Sequence, residues 1–223
     1  MNQTFTASDG TALTSLGWTA EVGTFKVVGN QATPNSGANG DQTVLDAGVS
    51  DFTLSCQVTP YGSWGNERDP DLIVRWSDSS DYWLVHVSAG AQELELIQVS
   101  SGTQTVRGSV SFAFASGTSY VISVSASGAT IAVSVNGVQG IGYASATMNE
   151  TSTKVGLYLT TAELPNRKLS AGAQYQPPMR ARKPAILRGS RFANQGSKCN
   201  SHPRGLIMAN QLKMAISDNI FAL

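Results

Sequence analysis

Through most of the first 162 residues of this chain, apolar side chains recur at every second position. Few folds tolerate that period. Successive side chains of a strand point to opposite faces, so alternation makes one face apolar and leaves the other to water; a helix needs a period near 3.6. Phe52, Leu54, Cys56 and Val58 fall on one face, as do Leu72, Val74 and Trp76, then Trp83, Val85 and Val87, then Leu94 and Leu96. Tyr120, Ile122 and Val124 repeat the pattern, followed by Ile131, Val133 and Val135, then Val155, Leu157 and Leu159. The opposite faces carry Thr, Ser and Gln, as in sheets wet on one side. Turn residues separate the runs. Asn136-Gly137 is the strongest signal, because both residues accept the positive φ of a type I′ hairpin; Ser127-Gly128 and Ser101-Gly102 are similar. No helical pattern precedes residue 165. Roughly a dozen strands at regular spacing predict an all-β, two-sheet antiparallel sandwich. A domain of this length buries about 70% of its unfolded surface and needs no disulfide. Cys56 is expected in the core and Cys199 in the C-terminal tail.

Charge divides the chain. The 15 basic and 15 acidic residues cancel overall, but residues 1–162 hold five of the former and thirteen of the latter, a net −8. Beyond Ala162 there are ten basic and two acidic residues, a net +8. All four Trp lie on the acidic side. A boundary near Leu164-Pro165 therefore separates a sandwich at 1–164 from a basic, Pro-containing linker at 165–205, expected to be mostly disordered. Residues 206–223 read as a short amphipathic helix, because Met208, Leu212, Ile216 and Ile220 are spaced by four. No apolar run reaches the roughly eighteen residues of a membrane span. No signal peptide is visible in the start Met1-Asn2-Gln3-Thr4.

Carbohydrate binding asks for an exposed ring to stack on a sugar and polar groups for its hydroxyls. The loop from Tyr61 to Asp69 supplies Trp64, Asn66 and Arg68. Arg75 and His86 alternate away from the apolar set and, with Tyr82, are expected to line one outer face. Asp69 and Asp71 before one strand, and Asp78 and Asp81 after it, are weak candidates for calcium, which takes oxygen ligands from loops. No other cofactor is expected. Glu93 and Glu95 share a strand face, and glycoside hydrolysis needs two facing carboxyls. The reading preferred for them is a solvated face with Leu94 and Leu96 turned inward. With only His86 and His202 in the chain, a His-based triad or zinc site is not expected. Arg180, Arg182, Lys183, Arg188 and Arg191 in the tail suit either phosphates or a neighbouring subunit; nucleic acid is not expected on the acidic sandwich.

The opening Phe5-Thr-Ala-Ser-Asp-Gly-Thr-Ala-Leu13, with Gly17-Trp18-Thr19 and Gly23-Thr24-Phe25, resembles the start of concanavalin A-like (laminin-G-like) jelly-roll domains. Leu72 to Trp83 resembles their paired central strands, and Val135-Asn-Gly137 with Lys154-Val-Gly-Leu-Tyr158 their later ones. The resemblance covers residues 5–160 and implies the jelly-roll fold. It also implies a broad class: a non-enzymatic carbohydrate-binding or adhesion module, expected in a bacterial surface or extracellular protein with a glycan or a neighbouring subunit as partner. A structural phage virion protein of tail or fibre type is the alternative, and a degenerate glycoside hydrolase the second. The Glu-x-Asp-x-x-Glu signature of jelly-roll glycosidases is absent around Glu93. Two departures stand out. No closing strand is evident after Tyr158, and Met208-Ala-Asn-Gln-Leu-Lys-Met-Ala215 resembles the start of insertion-element transposases. Read-through sequence after gene interruption and a native basic arm both account for the tail.

Overall fold

Hairpins close where the sequence supplies residues tolerant of left-handed backbone. Asn136 and Gly137 sit at φ 49° and 77°, and Ser101 and Gly102 at 47° and 72°, the pairs a type I′ turn requires. The computed structural model describes residues 2–3, 5–35, 40–60, 69–160, 168–176 and 212–217. In chain order the strands are β1 (Asn2–Gln3), β2 (Thr19–Val22), β3 (Phe25–Val28), β4 (Gln31–Pro34), β5 (Gln42–Asp46), β6 (Phe52–Val58), β7 (Asp69–Asp78) and β8 (Asp81–Ser88). Then come β9 (Glu93–Ser100), β10 (Thr103–Ser111), β11 (Tyr120–Ser127), β12 (Thr130–Val135), β13 (Val138–Tyr143), β14 (Lys154–Thr160), β15 (Lys168–Gln176) and β16 (Leu212–Ser217).

They form an eight-stranded sheet, ordered β15-β10-β9-β8-β7-β14-β5-β2, and a six-stranded sheet, ordered β1-β16-β6-β11-β12-β13; β3 and β4 make a separate ribbon. The expected all-β sandwich is what forms, antiparallel except that β15 runs parallel to β10. The core lies between the sheets: Leu54, Cys56, Ile122, Val124, Ile131 and Val133 from one meet Leu72, Val74, Trp83, Val85, Leu94, Leu96 and Leu157 from the other. Burial pushes the Cys56 thiol well above its ordinary pKa, as fits an inert core thiol.

The C-terminal expectations need correction. Leu212–Ser217 is a strand, not part of a helix, and it inserts between β1 and β6. Residues four apart share a face in either structure, so Leu212 and Ile216 could not discriminate; Met214, midway between them, fits only the period of two. The register sets Leu212, Met214 and Ile216 opposite Val58, Cys56 and Leu54, three inward positions of β6. A bare β6 edge would leave its backbone groups unpaired, and pairing outweighs weak helix propensity. Likewise Lys168–Gln176, expected within a linker, is the edge strand beside β10. The remaining tail residues lie outside those described. Among the described residues no helix is long and apolar enough to cross a membrane.

A second correction concerns Trp76. Val74 pairs with Trp83, but the next pair is Asp78 with Asp81, so Arg75, Trp76 and Ser77 oppose Tyr82 alone. Arg75 takes a left-handed φ of 53° at this bulge. The alternation is broken there, and Trp76 joins Tyr82 on the outer side instead of continuing the inward row of Leu72 and Val74.

Candidate functional site

Cross-strand neighbours share a face, so the registers of the eight-stranded sheet give its outer surface row by row. One row is polar: Gln42 on β5 pairs with Tyr158 on β14, Tyr158 with Asp71 on β7, and His86 on β8 with Glu95 on β9, which pairs with Ser109 on β10. Asp71 and His86 close the row by direct contact. Two residues along each strand, or three on β10 where the register shifts between Val106 and Gly108, lies an apolar row, Val44, Ile73, Leu84, Ile97 and Val106. Trp76, Tyr82 and Val99 continue that cluster. The face is therefore half polar and half apolar, split along a line across the strands.

Asp71 is the anchor. Its Oδ2 accepts from His86 Nδ1 at 2.9 Å and from Thr160 Oγ1 at 2.5 Å; its Oδ1 accepts from Val87 N–H at 3.0 Å and lies 3.1 Å from the same imidazole nitrogen. A carboxylate can only accept, so the imidazole proton sits on Nδ1, and the ring is fixed in one orientation. Asp71 and His86 are fully buried, and Glu95 is 3% exposed. Asp69, on the same side, accepts from Ala89 N–H at 3.3 Å. Asp69, His86, Ser88 and Glu95 each make a further interaction. Beside the row, the Tyr82 and Tyr158 rings lie 6.3 Å apart, and Gln42 Nε2 donates to the Tyr82 hydroxyl at 3.5 Å. Burial pushes Tyr158 up to about 12, with the Asp71 charge adding to it. Tyr82 rises further, through burial and then the neighbouring Tyr158 and Asp71. Both phenols stay neutral at physiological pH and can donate as well as accept.

The sequence-based candidates meet different fates. Trp64, Asn66 and Arg68 lie outside the described residues. Tyr82 and His86 do share the outer face, but neither is exposed as expected: both are buried beside an apolar row, and His86 is committed to Asp71. Arg75 does not join them. The bulge turns it the other way, where it is fully buried and donates to the Ala146 carbonyl at 2.9 Å and the Gly128 carbonyl at 2.6 Å. Asp51 stands 3.9 Å away. Arg75 thus ties the eight-stranded sheet to the β11–β12 hairpin of the other sheet and is not positioned as a ligand residue.

The carboxylates are also redistributed. Asp69 and Asp71 sit within β7, not on a loop before it, and both are buried. Asp78 and Asp81 flank the β7–β8 turn, where they accept from Ser80 N–H at 2.8 Å and Ser101 N–H at 3.1 Å. Among the described residues no group of three or more His, Cys, Asp or Glu is arranged to hold a metal. Glu93 and Glu95 share a face as expected, with Leu94 inward, but Glu95 is buried while Glu93 is only half-buried.

Sequence reading missed Gln42, Tyr158 and Thr160, and missed Asp71 as the partner of His86. One signal was present. Leu72-Ile73-Val74 and Trp83-Leu84-Val85 are continuous apolar runs, the mark of strands buried on both faces.

Solved structures share this architecture. The carbohydrate-binding module CBM66 from Bacillus subtilis superposes with a TM-score of 0.55 at 20% identity, over 66% of this chain and 89% of that one. A chain from work on endo-acting O-glycanases of human gut bacteria that initiate mucin breakdown gives a TM-score of 0.50 at 8% identity, over 78% of this chain and 90% of that one. The likeness is one of fold. No protein-family model matches the chain, and no curated protein does. The resemblance of residues 208–215 to transposases finds no support in these comparisons.

Proposed function

We propose that the outer face of the eight-stranded sheet binds a carbohydrate without transforming it. The observation that carries this reading is the row Gln42–Tyr158–Asp71–His86–Glu95, set in one line across five strands by their registers. Such a row alternates amide, phenol, carboxylate and imidazole. With Asp71 and His86 engaged to each other, the Gln42 amide, the Tyr158 phenol and the Glu95 carboxylate set polar groups across the row at multiples of the strand spacing of about 4.8 Å, which suits the hydroxyls of successive sugar rings. Tyr82, Tyr158 and Trp76 add aromatic surface for their apolar faces. The shared fold with a carbohydrate-binding module supports the same reading. Hydrolysis is a poorer fit. Both Asp71 oxygens are engaged by His86, Val87 N–H and Thr160, which leaves neither aimed at a glycosidic bond. A bacterial surface or secreted setting is part of the proposal, since extracellular glycans are the ligands such a row would meet.

The test is a glycan array followed by titration calorimetry on the full chain and on Glu95→Gln and Tyr158→Phe. Each variant removes one polar group, so a loss of about tenfold in affinity, near 1.4 kcal/mol, is expected. Absence of any glycan ligand, or equal affinity in all three proteins, would overturn the reading.

A further inference from the structure

Two side chains on the candidate face carry polar atoms that bond to nothing. Gln42 and Trp76 are each 6% exposed, and neither Gln42 Oε1 nor Trp76 Nε1 has a hydrogen-bond partner. Both residues border Tyr82, Gln42 through its Nε2 and the phenol, Trp76 within the same apolar cluster. One orphaned atom is an acceptor and the other a donor. A hydroxyl answers both, because it donates and accepts; an ammonium group only donates and a carboxylate only accepts. We infer that this face selects uncharged sugars, whose hydroxyls meet Gln42 Oε1 and Trp76 Nε1, and rejects glycans that carry carboxylate, sulfate or phosphate. The inference rests on the carbohydrate reading above and adds the class of sugar.

Charge supplies the rejection. Asp71 and Glu95 stand in the polar row; Asp69 and Glu93 stand two residues along the same strands, opposite Thr160 and Ser88. Four carboxylates thus occupy two adjacent rows. Strands β2, β5, β7 to β10 and β14 supply three Lys and Arg, and each is engaged elsewhere. Arg75 donates to the Ala146 and Gly128 carbonyls, and Arg107 Nε donates to Gln98 Oε1 at 2.8 Å. Lys154 stands opposite Asp46, with its Nζ 4.7 Å from the centroid of the Trp76 ring. It lies four residues along β14 from Tyr158, about 13 Å from the polar row. An anionic sugar laid on that row would hold its charge one or two strand spacings, about 5–10 Å, from the carboxylates. Like charges at that range repel strongly where water is partly excluded, and such repulsion is a means of refusing the wrong partner.

The experiment uses the full chain and a matched pair of ligands: the array's best uncharged oligosaccharide, and the same oligosaccharide with its primary alcohols oxidised to carboxylates. At low salt the oxidised ligand is expected to bind at least about tenfold more weakly. The gap should narrow at about 1 M salt, where the screening length falls to about 3 Å, and in Glu93→Gln, which removes one charge from the face. An array whose best ligands are acidic, or equal affinity within the pair, overturns the inference and leaves the carbohydrate reading standing. A gap that neither salt nor Glu93→Gln changes also overturns it, because loss of the alcohol alone then accounts for the difference. Gln42→Met tests the hydroxyl contact. It keeps the length of the side chain and removes the orphaned acceptor, so the uncharged ligand should bind about tenfold more weakly while resistance to urea holds. Unchanged affinity, or a loss of stability without a loss of affinity, overturns the contact. Absence of any glycan ligand removes the carbohydrate reading itself, a result distinct from equal affinity within the pair.

Discussion

The two sheets share one core and differ on their outer faces. On the six-stranded sheet β6 and β11 alternate strictly between buried and more exposed positions, and the outward residues are small and polar. Ser55 and Ser123 bond across the strands at 2.8 Å, and a shallow hollow of about 270 Å³ is lined by Thr53, Ser123, Ser125, Ser134 and Gln139 with their neighbours. On the eight-stranded sheet the first eight residues of β7 and the last seven of β8 are all buried, on both sides. Hydroxyl groups that keep contact with water need no fixed partner. Carboxylates and an imidazole taken out of water do, and Asp71 has found four contacts. One face is a solvated exterior, and the other is a second buried layer, half polar and half apolar.

That contrast can be broken in order of effect. The largest loss is expected from Arg75→Ala, which leaves the Ala146 and Gly128 carbonyls without their charged donor between the sheets. A fall of about 3–5 kcal/mol in urea unfolding is expected; a value under 1 would mean the clasp is not structural. Asp71→Asn comes next. It keeps the shape but weakens the bonds from His86, Val87 and Thr160, at a cost of about 2–3 kcal/mol. If it costs no more than a serine change on the opposite sheet, the two faces are energetically alike and the contrast fails. Gly156→Ala should cost about 1–3 kcal/mol, because a Cβ there would run into the Thr43 carbonyl oxygen and come within 3.2 Å of Val44 Cα.

Smaller effects sharpen the comparison. Tyr158 titrates near 12 in the fold against an ordinary value of 10. Its raised value means the unfolded chain loses that proton first. Its contribution is complete below pH 10 and is lost as pH rises through 12. Stability measured over that range should fall less steeply in Tyr158→Phe, and an unchanged slope would show that the ring is not buried as described. Ser125→Ala, on the solvated face, should stay within about 0.5 kcal/mol of the parent in the same unfolding assay.

Much of the fold was legible because its causes are local. Asn136-Gly137 turned where positive φ was needed, and Leu54 and Cys56 went inward as their alternation required. The tail misled because Leu212 and Ile216 fit two periods at once, and only the open edge of β6 chose between them. That His86 and Tyr82 share a side was legible, because they stand four apart on one strand; their burial was not. The rest was hidden: Gln42, Asp71, Tyr158 and Glu95 are far apart in the chain and meet only through strand order.

The sequence by itself determined which residues of each strand lie together, because side-chain direction alternates with every peptide unit whatever the strand's neighbours. It also set the charge division that distinguishes the sandwich from the tail. Only the tertiary structure decided which strands stand side by side, how a bulge at Arg75 exchanges inside for outside, and that Asp71 receives His86. Those outcomes depend on register between distant segments, and register is chosen by the packing of the whole sheet.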